Sequence, residues 1–258
     1  MIRPKELIAL RAGGQSRSFA ASELPSSPAA AYGVAAATLG LLGSEPAGWK
    51  LGGTTPATRR TFATDEVYFG ALLADEIWDS TLAADPPVPP VLRGEAEIAL
   101  RLSADIRYDE SEAALESPAT ELFDAWAPAI EAPYSCVREI EELGLRALLM
   151  DRCAAGALYL GEPRSNVEDP AMEQEIEIIV DGVAVAEGTA RASLLMTPQE
   201  AARRFLSVAA EHGVSVRRGQ WIATGGITPC VMLPRGKPIQ LTLGGKRIFT
   251  LSAQARAT

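Results

Sequence analysis

A chain of 258 residues with 47% hydrophobic content has enough apolar material for one large core or two small ones. Its formal charge of −9, from 33 acidic against 24 basic residues, comes without a basic run that could track a phosphate backbone, which excludes nucleic acid as an expected partner. Cys136, Cys153 and Cys230 are widely spaced with no C-x-x-C pattern, and the single histidine, His212, cannot form an H-E-x-x-H site; disulfide frameworks and thiolate or H-E-x-x-H zinc sites drop out, and a reducing cytoplasm is the expected compartment.

The opening MIRPKELIALRAGG has only a short apolar core, and PAAAYGVAAATLGLLG is too short to span a bilayer, so neither export nor a membrane span is expected. The second run follows a Pro/Ser-rich lead-in, which predicts a helix from near Pro28 to Gly43 that packs on the main body. GWKLGGTTPATRRTF then sets glycines on both sides of Trp49 and Lys50, which predicts a loop or short strand lining a cleft. No G-x-S-x-G elbow or P-loop occurs, so chemistry must rest mainly on carboxylates, lysine, arginine and hydroxyls.

A proline-rich connector leads into VLRGEAEIAL, residues 91–100. Period-two geometry sends Glu95, Glu97 and Ala99 to one face and Ala96, Ile98 and Leu100 to the other, with the two carboxylates about 7 Å apart at the backbone. Together with a third carboxylate they could hold a hard divalent cation; the competing reading is the solvent-facing side of an edge strand. YDESEAALESPATELFDAWAPAIEAP has apolar residues at roughly helical spacing, which predicts a helical section delivering Glu131 at its end.

The second half alternates strand-like runs with one helix. ALYLG, EIEIIVDGVAVAEGTA and QWIATGG read as strands, the middle one turning at Asp181-Gly182. TPQEAARRFLSVAAEHG reads as a helix capped by Thr197, with Pro198 at its first position and Gly213 behind it. KPIQLTLGGKRIFTLSA predicts a hairpin at Gly244-Gly245. The expected class is α+β, a β-rich core with a few flanking helices and no long interdomain linker.

Five segments carry a resemblance, in order, over residues 48–228. GWKLGGTTPA resembles the G-x-K-x-G-x-T-S-P segment, and GEAEIAL the E-A-E-I-A-F strand, of the 2-keto-4-pentenoate hydratase and 4-oxalocrotonate decarboxylase branch of the fumarylacetoacetate hydrolase family. APAIEAP is similar to that branch's P-A-I-E, MDRCAAGALYLG to its D-N-A-S-x-G, and VRRGQWIATGGIT to its L-R-x-G-D-x-I-x-T-G-A-L.

The resemblance implies a fumarylacetoacetate hydrolase-like fold, a mixed β-roll or barrel over 48–258, with 1–47 as an N-terminal helical segment packed on it. It implies a Mg²⁺ or Mn²⁺ ion on Glu95, Glu97 and Glu131, chelated by the 2-oxo or 2-hydroxydienoate group of a small acid. Lys50 matches the catalytic lysine; it would offset oxyanion charge or, with its pKa lowered by burial, exchange a proton, whereas an isolated lysine would be a surface charge. Thr54, Thr55 and Thr224 fall on hydroxyl positions that could bind the substrate carboxylate, or could satisfy their own backbone.

Three positions depart from the pattern. Arg152 and Ala154 replace the Asn and Ser of D-N-A-S, and Gln220 replaces the Asp of R-x-G-D, which puts the reaction in question because such groups position water or a proton donor. Arg152 could reach the distal carboxylate of a dicarboxylic substrate or fill the space of the catalytic water; otherwise it would pair with Asp151 or another surface acid. His212 is expected as a helix C-terminal cap and Cys153 as a packed small hydrophobe.

The expected activity is hydration of a 2-hydroxy-2,4-dienoate to a 4-hydroxy-2-oxo acid, as in breakdown of aromatic compounds. The alternatives are a 2-oxo-dioate decarboxylase, a hydrolase or oxaloacetate decarboxylase of the same fold, and a non-catalytic homologue that stabilises an active partner. A homo-oligomer, or a complex with a related pathway enzyme, is the expected assembly.

Overall fold

The computed structural model describes residues 2–82 and 85–252; two residues of the proline-rich connector and the last residue of the C-terminal hairpin segment lie outside them. In chain order the helices are α1 (Pro4–Ala12), α2 (Pro28–Leu42), α3 (Pro56–Phe62), α4 (Ser111–Glu116), α5 (Ala119–Leu122), α6 (Ile140–Leu143), α7 (Leu145–Met150), α8 (Ala190–Ser193) and α9 (Pro198–Glu211). The strands are β1 (Gly48–Gly52), β2 (Tyr68–Leu72), β3 (Ile77–Asp79), β4 (Arg93–Leu102), β5 (Phe123–Ala132) and β6 (Ala157–Leu160), then β7 (Ile176–Val180), β8 (Val183–Gly188), β9 (Trp221–Ala223), β10 (Val231–Met232), β11 (Pro238–Leu243) and β12 (Lys246–Ser252).

The larger sheet runs β2-β1-β9-β4-β5-β6-β3, with β10 added to the start of β4. It is mixed: β1 lies parallel to β9 and β3 parallel to β6, while β4 is antiparallel to β9 and β5. Its two end strands, β2 and β3, are joined by residues 73–76 alone, so the sheet must curl toward itself as a half-barrel. Small residues make that curvature possible: Ala99, Ala127, Ala129 and Ala223 fill the inner face with Leu158 and Trp221. The outer face, with Trp49, Ile98, Leu100 and Ile130, packs against Phe205 of α9 and against Ile178 and Leu241 of the second sheet, β12-β11-β7-β8.

Local chemistry explains the helix ends. Ser27 Oγ accepts a hydrogen bond from Ala30 N, Pro28 occupies the first turn, and Gly43 closes α2 at φ 63°, as the sequence predicts. α9 begins with a reciprocal capping box between Thr197 and Glu200. Leu7 of α1 and Ala31 of α2 share a buried cluster with Leu148, Leu149 and Met150 of α7. The turns at Asp181-Gly182 (φ 54° and 80°) and Gly244-Gly245 (φ 56° and 71°) have the left-handed geometry of tight hairpins.

Two expectations are corrected. Residues 123–132 form a strand, not the end of a helix, because Ala125, Ala127 and Ala129 alternate with Trp126, Pro128 and Ile130: the alanines face the barrel interior, and Trp126 and Ile130 join the outer core. Residues 56–62 form α3, opened by Thr55 as its cap, where the sequence reading gave only a loop or short strand. His212 is the C-terminal cap of α9, as expected, through backbone hydrogen bonds, and its imidazole packs on Tyr32 at 4.2 Å between ring centroids.

Candidate metal centre

β4 and β5 bring three carboxylates together at one end of the half-barrel. Glu95 stands directly opposite Glu131 in the ladder, and Glu97 lies two residues further along the same face. One carboxylate oxygen from each lies within 4.8 Å of the others. Glu97 and Glu131 are buried, at 1% and 0% exposure, and Glu95 borders the cavity above them. Since β4 is interior to the sheet, between β5 and β9, the solvent-facing edge-strand reading is excluded.

These oxygens are poorly satisfied by protein. Glu97 Oε2 accepts a hydrogen bond from Gly225 N at 2.8 Å, but its Oε1 has no partner. Neither oxygen of Glu131 accepts a well-aligned hydrogen bond, although Lys50 Nζ forms an ion pair at 3.2 Å from Oε2. Burial raises the pKa of all three carboxyls. Glu131 reaches about 7 against the opposing pull of Lys50, and Glu97 is pushed well up by burial and then by its two acidic neighbours. Three converging, desolvated and under-bonded carboxylates form an all-oxygen donor set that suits a hard divalent cation.

Lys50 enters from β1 opposite Gly70, 8% exposed. Burial alone would lower its pKa; the charge of Glu131, followed by those of Glu95 and Glu97, outweighs burial and raises it. Of the two roles expected for Lys50, this direction favours the ammonium that offsets oxyanion charge over the proton exchanger of lowered pKa.

A cavity of about 630 Å³ opens above the carboxylates, bounded by the end of β1, α3, the turn at Cys153-Ala154 and the loop 225–230. Gly225 is required there, and Gly226 leaves room for the Glu95 carboxylate. A Cβ on Gly226 would come within 2.3 Å of Glu95 Oε2, and one on Gly225, at φ 123°, within 1.9 Å of Thr54 Oγ1. Arg152, Cys153 and Ala154 all adopt left-handed conformations, at φ 53°, 56° and 53°, which costs on the order of 1–2 kcal/mol per residue. The turn fits because Gly70 leaves room for the Arg152 carbonyl. Behind it, Asp151 accepts hydrogen bonds from Arg11 Nε at 2.5 Å, Ser135 Oγ at 2.7 Å and Cys136 N at 2.9 Å. Cys153 is buried and its thiol is pushed up to about 12 by burial, so it packs as a neutral group.

The other expected substrate contacts separate. Thr54 borders the cavity with a buried Oγ1 that has no hydrogen-bond partner. Thr55 also borders it, but its hydroxyl caps α3 through Thr58 N. Thr224 Oγ1 donates to Ile98 O at 2.7 Å, so that hydroxyl is a structural tie, not a substrate contact. Arg152 is neither a surface residue nor a cavity donor: Nη1 and Nη2 bond Glu76 at 2.8 and 2.7 Å, and Nη1 also bonds Ala71 O. Gln220 accepts from Trp49 Nε1 and Arg217 N and donates to Pro46 O, tying β9 to β1. Of the three departures from the family pattern, Ala154 alone borders this cavity. Arg93 also borders it and was passed over; it lies two residues before Glu95, on the face that period-two alternation gives to the carboxylates.

No family model matches the sequence, and no curated protein matches it significantly. Among solved structures, 4-oxalocrotonate decarboxylase from Pseudomonas putida G7 complexed with calcium and acetate is similar at a TM-score of 0.79 and 19% identity, covering 97% of this chain and 95% of that one. The same enzyme complexed with magnesium and adipate gives 0.77 and 18% over the same shares. Fumarylpyruvate hydrolase from Pseudomonas aeruginosa in complex with Mn²⁺ and pyruvate gives 0.57 and 15%, covering 81% and 89%. Among the described residues no helix is long and apolar enough to cross a membrane. The chain therefore has the fumarylacetoacetate hydrolase-like fold that these enzymes share, as its motifs predict.

Proposed function

We propose that this protein belongs to the fumarylacetoacetate hydrolase family and is a divalent-metal-dependent lyase acting on a small 2-oxo acid or its 2-hydroxy-2,4-dienoate form. The observation that carries this reading is the convergence of half-buried Glu95 with buried Glu97 and Glu131, whose oxygens are under-bonded, beneath a substrate-sized cavity. The calcium, magnesium and Mn²⁺ complexes of the structural neighbours support it.

Glu95, Glu97 and Glu131 would hold Mg²⁺ or Mn²⁺. Such an ion supplies Lewis acidity toward the 2-oxo oxygen and its neighbouring carboxylate. Lys50, held as an ammonium beside Glu131, stabilises negative charge that grows on the substrate as bonds change near its 2-oxo group. The Thr54 hydroxyl is free to donate to the substrate carboxylate. Leu51, Phe62 and Ile227 in the cavity wall restrict water and strengthen these interactions.

Hydration of a dienoate and decarboxylation of a 2-oxo-dioate both use this arrangement. Hydration is the reading drawn from the motifs; likeness to a decarboxylase over 97% of the chain favours decarboxylation as the second. An ultraviolet assay with 2-hydroxypenta-2,4-dienoate and 2-oxohex-4-enedioate, each with and without Mg²⁺, tests both. Metal-dependent consumption of either substrate supports the reading. Inactivity on both, in protein that binds Mg²⁺, favours a non-catalytic homologue.

A further inference from the structure

Arg93, Glu95 and Glu97 occupy alternate positions of β4 and so share one face, successive members about 7 Å apart along the strand. They form a row from mouth to floor: Arg93 is exposed, Glu95 half-buried and Glu97 buried. Among the described residues the cavity wall contains two cations, Lys50 and Arg93. Lys50 is committed to Glu131. The Arg93 guanidinium makes no hydrogen bond or ion pair with any described residue, and its charge acts on Glu95 only from a distance, lowering that carboxyl's pKa against the effect of burial. An unspent guanidinium thus stands at the cavity mouth, in line with the carboxylates.

We propose that Arg93 is a second anion-binding point of this cavity and reads the distal carboxylate of a dicarboxylic 2-oxo acid whose 2-oxo end lies at Glu95, Glu97 and Glu131. This rests on the metal-dependent reading above and narrows its substrate class. A planar guanidinium offers two parallel N–H donors to one carboxylate, a match that neither a neutral dienoate tail nor a methyl group can use. An acid anchored at the floor and extending along β4 meets Arg93 as the next charged side chain on that face. The distal carboxylate of a shorter acid such as oxaloacetate would stop short of Arg93, which stands about 7 Å along the strand from Glu95. Arg93 therefore selects for length as well as charge. Because it is exposed, its contribution is sensitive to salt.

The test is calorimetry on the full chain in saturating Mg²⁺, titrating pyruvate and 2-oxoadipate into the parent protein, Arg93→Gln and Arg93→Lys, with Mg²⁺ affinity measured on all three. The parent should bind 2-oxoadipate roughly tenfold or more tightly than pyruvate, the scale of a charge-assisted hydrogen-bonded pair. Arg93→Gln should erase that preference with little change in pyruvate or Mg²⁺ affinity, and Arg93→Lys should retain part of it. Equal affinity of the parent for the two acids, or equal losses for both in Arg93→Gln, overturns the assignment. A parallel fall in Mg²⁺ affinity overturns it too, since Arg93 would then serve only to balance Glu95. If the parent binds Mg²⁺ but neither acid, the proposed function itself fails, and the role of Arg93 with it.

Discussion

Glu95 and Glu131 face each other as a cross-strand pair, two carboxylates at a place in the sheet where like charges ordinarily repel. With Glu97 they make a charge arrangement that a divalent cation completes and that protein groups leave largely unsatisfied. Single changes Glu95→Gln, Glu97→Gln and Glu131→Gln should each weaken Mg²⁺ or Mn²⁺ binding by about tenfold or more, since each removes a charged oxygen ligand. Calorimetry giving parent-like affinity in all three variants would rule out this centre.

The same burial makes the metal-free protein sensitive to pH. Glu131 has an ordinary value of 4.5 and is raised to about 7 in the fold, so between these pH values the folded chain binds more protons than the unfolded chain. Stability from this source is therefore present at the acid end and lost as pH rises through the window. Thermal melts in chelator should show the parent losing stability relative to Glu131→Gln between about pH 4.5 and 7, and added Mg²⁺ should offset the loss by displacing the proton. A parent-minus-variant difference that is flat, or that grows with pH, contradicts the arrangement.

Lys50 is held charged by Glu131, so its contribution is electrostatic. Lys50→Met should reduce turnover by a factor on the order of 10² or more. Metal affinity should not fall, because the variant removes a positive charge beside the ligands. Rapid-quench turnover and Mg²⁺ titration read the two effects separately; parent-like turnover would make Lys50 a structural ion-pair partner.

What the sequence disclosed follows from the kind of signal each part carries. The shared face of Glu95 and Glu97 was legible because period-two geometry depends on nothing beyond β4 itself. β5 was misread because alanine favours helices; its alternation of Ala125, Ala127 and Ala129 with larger residues has meaning only once a barrel interior is there to receive them. The neighbours of Arg152 and Gln220 could not be read at all. Glu76 lies 76 residues from Arg152 and Trp49 lies 171 from Gln220, and only the curled sheet brings them together.

The adjacent threonines should behave differently despite their similarity. Thr54 has a buried hydroxyl with no partner, so Thr54→Val should leave the melting temperature of the unliganded protein unchanged or slightly higher while raising KM several-fold. Thr55→Ala removes the cap of α3 and should cost about 1 kcal/mol of stability with a smaller effect on KM. Thermal melts and steady-state kinetics on the two variants check this; the reverse pattern would mean that Thr55 is the substrate donor.

The final prediction concerns Arg152, whose guanidinium is engaged twice by Glu76 while its own backbone forms the first residue of the left-handed turn behind Lys50. Glu76 also accepts from Leu73 N, so one carboxylate anchors both this turn and the link between the two ends of the half-barrel. Replacing either partner leaves an under-compensated charge in a protected site, where the cost of breaking such a pair is about 3 kcal/mol. Arg152→Asn and Glu76→Gln should therefore both be strongly destabilising, and the double variant less so than the sum, as denaturant titration in a double-mutant cycle would measure. Any remaining activity should fall similarly on mono- and dicarboxylic substrates, because Arg152 does not face the cavity. Additive losses of stability, or a selective loss on the dicarboxylic substrate, would instead return Arg152 to substrate recognition.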